Sequence, residues 1–218
     1  MKRFVPLGIA LALIGYWGPW VNHKTAALVL SGLDMAEFVK FLPEVQAGTK
    51  LVIRELFYLP LLAAALCLAL IGGNRCLRYP LWARVVMVIV AVVLTFIVLP
   101  PYPFILQALG LDEFRRQFLA ATGCLVAIGG TLLYRRLLPA AVGALLIVIS
   151  LAGAILSVWQ FLSIRSVLDR LYGKPIQVGW GLWLMVAGFL VTAAAGGWIV
   201  STGRRSLEKH RLDVDPTP

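Results

Sequence analysis

Charge is what this 218-residue sequence has least of: 14% of its residues are Asp, Glu, Lys or Arg, against about 25% in a soluble domain. With 61% hydrophobic residues and a mean hydropathy of +0.89, that shortage excludes an ordinary water-soluble fold and implies an integral membrane protein. Histidine is nearly missing too. His23 and His210 are the only two, and neither lies inside an apolar span, so the usual ligands of an intramembrane haem are lacking. Cys67, Cys76 and Cys124 fall within apolar spans or at the end of one. No CxxC or Cys/His cluster accompanies them, which argues against a zinc site or haem attachment, and none sits in an outer loop, which argues against a structural disulfide. H-E-x-x-H, G-x-S-x-G and related signatures are also absent. No metal, cofactor or catalytic residue is expected.

What the chain does have is long uncharged runs. Six of them, residues 4–22, 56–74, 85–111, 117–134, 137–164 and 175–203, reach the roughly 18–20 residues a helix needs to cross about 30 Å of hydrocarbon. The expected fold is an all-α integral membrane protein, a six-transmembrane-helix bundle of hairpins in one domain over 1–203. The spans are placed near 4–22, 53–74, 82–100, 117–134, 138–162 and 178–202, with a cytoplasmic tail at 204–218. The first run is read as a retained span, because its end, "GYWGPW", is bulky and Leu13 and Gly15 make a poor cleavage site.

Loop charge sets the orientation. With both termini cytoplasmic, the inner segments carry eleven basic and three acidic residues, the outer ones nine basic and seven acidic, as the excess of Lys and Arg on the cytoplasmic side requires. The location is then a cell membrane, inner or plasma, and the net charge of +10 serves topology and headgroup attraction rather than nucleic acid. Trp17, Trp20, Trp159, Trp180 and Trp183 fall near the outer interface and Trp82 and Trp198 near the inner one, the pattern of an aromatic belt.

Two heptapeptides, "CLALIGG" from Cys67 and "CLVAIGG" from Cys124, agree at five of seven positions, and Gly196–Gly197 lies at a matching depth. A parallel internal repeat of two-helix units would account for them. Paired small residues let helices approach closely where no hydrophobic force drives them together in lipid. Gly72, Gly73, Gly129, Gly130, Gly188, Gly196 and Gly197 are accordingly the candidate packing positions. Cys67 and Cys124 sit at equivalent places in the repeat.

No run has an ionisable residue at mid-depth, where one costs about 2.5–3.5 kcal/mol and is usually kept for function. That argues against an ion-driven transporter and a buried carboxylate pair. Chemistry is left to the surface, above all to the first outer loop, where "GLDMAEFVKFLPEV" begins at Gly32. Asp34 as N-cap, Glu37 three residues later and Pro43 as the stop predict an amphipathic helix over 34–42, with Met35, Phe38, Val39 and Leu42 on its apolar face. A helix so short must lie on lipid or on the bundle. Arg54 and Glu55 are expected to snorkel to the headgroups. His23, Asp34, Glu37 and Lys40 are the candidates for binding a ligand or partner.

The leading expectation is a non-enzymatic multi-pass protein: a subunit, scaffold or assembly factor of a membrane complex, with lipid and a membrane-protein partner or a second copy as its contacts. The alternatives are a transporter component for a small or lipid-like molecule and, third, an outer-face enzyme using His23 with Asp34 or Glu37.

Overall fold

The computed structural model describes residues 3–23, 28–75, 77–100, 102–135, 137–173 and 175–214; the side chains of 23, 28, 112, 132 and 204–214 are outside the description. Nine α-helices and three short strands are present among the described residues. In chain order they are α1 Phe4–Trp17, β1 Val21–His23, β2 Leu28–Leu30, α2 Gly32–Phe38, α3 Pro43–Gln46, α4 Leu59–Gly73, α5 Leu81–Val98, α6 Asp112–Gly129, α7 Thr131–Tyr134, α8 Pro139–Tyr172, β3 Gln177–Val178 and α9 Trp180–Val214. Three have the length and apolarity to cross a membrane: α5, α8 and the Trp180–Gly203 part of α9. The shorter α1 and α4 are apolar as well. The protein is thus mostly helical and suited to a membrane.

Several boundaries differ from the sequence expectation, each for a local reason. Helix α1 stops at Trp17 rather than reaching residue 22, because Gly18 turns extended ahead of Pro19. The second apolar segment opens with a 3-10 turn, Arg54–Phe57, before α4 begins with Pro60 in its first turn, where a missing N–H costs nothing. Helix α6 starts five residues early at Asp112 and carries four charged residues in its first five positions. Helix α8 runs 34 residues to a left-handed Gly173 with φ of 64°, the helix end that glycine adopts most cheaply. The backbone of α9 continues helical to Val214, so most of the expected tail prolongs the last helix.

Helix α4 is the axis of the bundle. It touches α1, α5, α6 and α8, and only Leu59 and Leu66 among its residues are not fully buried. Helix α9 closes the other side, against α1 and α8. Gly188 lies against the backbone of Ala12 and Gly8, and Gly196 lies against Gly143 of α8, so these two positions of α9 serve different neighbours. Gly72 and Gly73 face Arg84 and Thr131. Gly129 and Gly197 face open space, and Gly130 meets only its own preceding turn, so close packing does not extend to these three. The two heptapeptides therefore occupy unlike surroundings.

A small structure caps one end. Strand β1 is central in an antiparallel sheet of order β2-β1-β3, which the sequence reading did not anticipate. Trp20 is fully buried beneath it rather than standing in the aromatic belt. Its indole Nε1 donates to the Gly15 carbonyl at 3.2 Å, and its ring meets Tyr16 and Phe161 edge-on. Trp17, Trp82, Trp159, Trp180, Trp183 and Trp198 are all exposed.

Helix α8 rises about 51 Å at 1.5 Å per residue, well beyond the roughly 30 Å of a hydrocarbon core. Its final turns brace the cap. Arg165 Nη2 donates to the Ile176 carbonyl at 3.2 Å, the Ile176 N–H donates to Asp169 Oδ1 at 2.6 Å, and Arg170 pairs with Glu44 at 3.3 Å.

Candidate functional site

The cap is built from a helix start that the sequence places three residues before Asp34. Ser31, not Asp34, is the N-cap of α2: its Oγ accepts from the Asp34 N–H at 3.3 Å, while the Ser31 N–H donates to Asp34 Oδ2 at 2.9 Å. "SGLD" is the S-x-x-D form of a capping box, and it leaves Glu37 free for other bonds. After α2 the chain tightens into a 3-10 turn, Val39–Phe41, and Leu42 turns extended because Pro43 follows. Met35, Val39 and Leu42 are buried against the bundle.

Beside this turn lies a cleft of about 700 Å³, lined by Lys40, Arg54, Glu55, Glu113, Arg115 and Arg116 together with aliphatic side chains such as Val52 and Leu119. Its floor is Arg54, which is 8% exposed instead of snorkelling outward. A guanidinium so placed must be fully paired, since an unpaired buried charge is strongly destabilising. Nη2 donates to the Glu113 carbonyl and to Gln117 Oε1, both at 2.7 Å, and Nη1 lies 3.4 Å from Glu113 Oε1. Gln117 Nε2 in turn donates to the Val98 carbonyl at 2.7 Å. The Arg54 guanidinium also lies over the Phe114 ring, 5.2 Å from its centroid, and that ring stacks on Phe104.

Lys40 joins the cap to this floor. Its Nζ is 2.6 Å from Glu37 Oε2 and 3.2 Å from Glu113 Oε1, and Tyr58 donates to Glu37 Oε1 at 2.6 Å. Burial pushes the Glu37 carboxyl up, but bonds from Lys40 and Tyr58 outweigh it and hold the group below its usual range. The same contest runs the other way at Lys40, where burial lowers the ammonium and the two carboxylates raise it further. Both groups are thereby held in their charged forms.

Of the four residues named from sequence, only Lys40 lines the cleft; Glu37 reaches it through Lys40. Asp34 is engaged by Ser31. The backbone of His23 lies in β1, and its side chain lies outside the described residues. Arg54, Glu113 and Gln117 were missed as a unit because they are 59 and 63 positions apart. The available signal was a Gln behind four charged residues at the head of an otherwise apolar helix. No family model matches the chain, and no curated protein or solved structure is significantly similar to it.

The remaining candidates separate. Cys67 Sγ is 3.8 Å from Ser150 Oγ, whereas Cys124 Sγ is 3.4 Å from Thr95 Oγ1, so each thiol has its own hydroxyl. Cys76 lies outside the described residues. Among the described residues no three His, Cys, Asp or Glu side chains are grouped to hold a metal ion. Thr95, Ser157 and Thr192 each donate to a carbonyl four residues back in their own helix, the ordinary resting place of a hydroxyl in an apolar helix.

Proposed function

We propose that this is a non-enzymatic, six-span membrane protein with both termini in the cytoplasm, and that it serves as a subunit, scaffold or assembly factor by docking a protein partner on its outer cap. Helices α1, α4 and α6 complete the six spans in this reading. Support comes from their packing: α1 lies along α9, α4 along α5 and α8, and α6 against α4 and α5, so these helices share the depth of the long ones. Cap and cleft then lie on the outer face.

The observation that carries the docking role is the exposure of large apolar side chains on the two loops beside the cleft. Phe41, Leu51 and Ile53 flank the cleft residues Lys40, Val52 and Arg54, and Tyr102, Phe104, Leu106 and Leu109 precede α6. Leu51 is 94% exposed and Leu106 76%. Arg115 and Arg116 have no partner among the described residues and rim the same cleft. Aromatic side chains and arginine are the types enriched where proteins meet, and contiguous apolar surface outside a core marks such sites. Glu37 and Lys40, both held charged, are poorly matched to proton transfer near neutral pH, which asks for a group that titrates there.

A photo-crosslinking side chain at Leu51 or Leu106, activated in intact membranes, tests the reading. A discrete protein adduct is expected, lost when Arg115→Glu and Arg116→Glu are combined, with none from Val93 on the exposed face of α5. Adducts to lipid alone from all three positions would overturn it.

A further inference from the structure

The end of the bundle opposite the cap holds a second pocket, of about 270 Å³, where α4 ends, α5 begins and α7 passes. Three arginines line it: Arg75, Arg84 and Arg135. Among the described residues no acid lines it, and the sequence has no Asp or Glu anywhere in 56–111 or 114–168. Arg84 is fixed from behind. Its Nε donates to the Gly72 carbonyl at 2.8 Å and its Nη2 to the Gly73 carbonyl at 3.1 Å, which closes the C-terminus of α4 and holds the guanidinium in place. Arg75 and Arg135 are exposed and have no partner among the described residues. The Thr131 residue adds a hydroxyl to the lining.

The other wall is aliphatic. Val85 and Ile89 line the pocket and are half exposed, and the same face of α5 continues through Val93 to Phe96, which are likewise exposed. From Val85 to Phe96 the helix rises about 16 Å, the depth of one leaflet of a roughly 30 Å core. Trp82, 71% exposed, stands at the head of this stripe, where indoles settle at headgroup level. A positive pocket with an apolar runway one leaflet long has the two parts of a phospholipid in the right order.

We propose that this pocket binds the phosphate of an anionic phospholipid headgroup, with an acyl chain lying along the Val85–Phe96 face of α5. Basic pockets between helices recognise anionic headgroups in this way. The site is independent of the outer cap and of what docks there. It sits on the cytoplasmic leaflet if the proposed orientation holds, but the chemistry does not depend on that.

Native mass measurement of the full chain in neutral detergent, with phosphatidylglycerol, phosphatidylcholine or inorganic phosphate added, separates the cases. Phosphatidylglycerol is expected to be retained at least ten-fold more strongly than phosphatidylcholine. The Arg75→Gln, Arg135→Gln double variant, which breaks no internal bond, should lose roughly five-fold per arginine and keep its melting temperature. The Arg115→Gln, Arg116→Gln variant at the other end should bind as the parent does. Equal retention of the two lipids, or a double variant that binds unchanged, would sink the proposal. Displacement of the lipid by millimolar inorganic phosphate would overturn it too, assigning the pocket to a free anion.

Discussion

The segments Cys67–Gly73 and Cys124–Gly130 are nearly the same sequence in opposite situations. The first ends α4, every residue buried, with α5 and α7 against its glycines. The second ends α6 at the edge of the bundle, where Val126 is 71% exposed and Gly129 meets nothing. An apolar heptapeptide carries too little information to choose between these places. What chooses is polar: Arg54 and Gln117 fasten the head of α6 to the start of α4 and the end of α5, while Arg84 and Asn74 close the foot of α4 against its neighbours. Helix α6 is thus held firmly at the cap end and weakly at the other.

The largest expected effect follows from that asymmetry. Arg54→Met removes the buried fastener and leaves Gln117 and Glu113 facing a thioether. The loss should be about 2–3 kcal/mol, below the full range for a broken buried pair because Glu113 is half exposed. Hydrogen exchange should accelerate through α6 and leave α4 slow; equal acceleration of both would show that Arg54 holds the whole bundle instead.

Next in size is a paired substitution at the two glycine motifs. A side chain at Gly73 would begin against the Thr131 carbonyl and the Tyr134 ring, so Gly73→Leu should cost about 1–3 kcal/mol as overpacking. Gly129→Leu points into open space and should stay within about 0.5 kcal/mol of the parent. Melting in detergent measures both, and similar losses would erase the distinction between α4 and α6.

The same contrast explains what the sequence made legible. Membrane character, the helical class and the loop helix under Asp34 rest on composition and on spacings of three or four residues, which one short window contains. The stop at Leu42 is likewise written in Pro43. Arg54 read as a surface charge because its partners are in another helix. Trp20 read as an interface anchor because nothing local announces that β2 and β3 will close over it. The capping box was visible as "SGLD" and was placed three residues late, since Asp34 with Glu37 satisfied the same rule. Non-local pairing, not weak local signal, set the limit.

A smaller effect separates local from distant support within the cap. Asp34→Ala removes the acceptor for the Ser31 N–H and hydroxyl and should cost about 1 kcal/mol, the usual worth of an N-cap. The loss is expected to stay within α2, because among the described residues the Asp34 side chain bonds only Ser31. If exchange in α6 rises as well, the cap and the α6 head form one cooperative unit.

The smallest effect is a pH dependence that distinguishes the Glu37 side of Lys40 from the Glu113 side. Glu37 is held below its ordinary value in the folded protein, so its contribution is complete above the unfolded value of about 4.3 and disappears as pH falls toward the lower folded value. Lys40 is held above its ordinary value; its contribution is complete below about 10.4 and is lost as pH rises through the folded one. Exchange in α2, corrected for the intrinsic pH dependence of amide exchange, should therefore increase below about pH 4.3 and be flat across neutrality. Tyr58→Phe removes one of the bonds that lower Glu37 and should move the acid limb to higher pH while leaving the alkaline limb in place. An acid limb that does not move would assign it to another carboxylate, and with it the coupling between cap and α6.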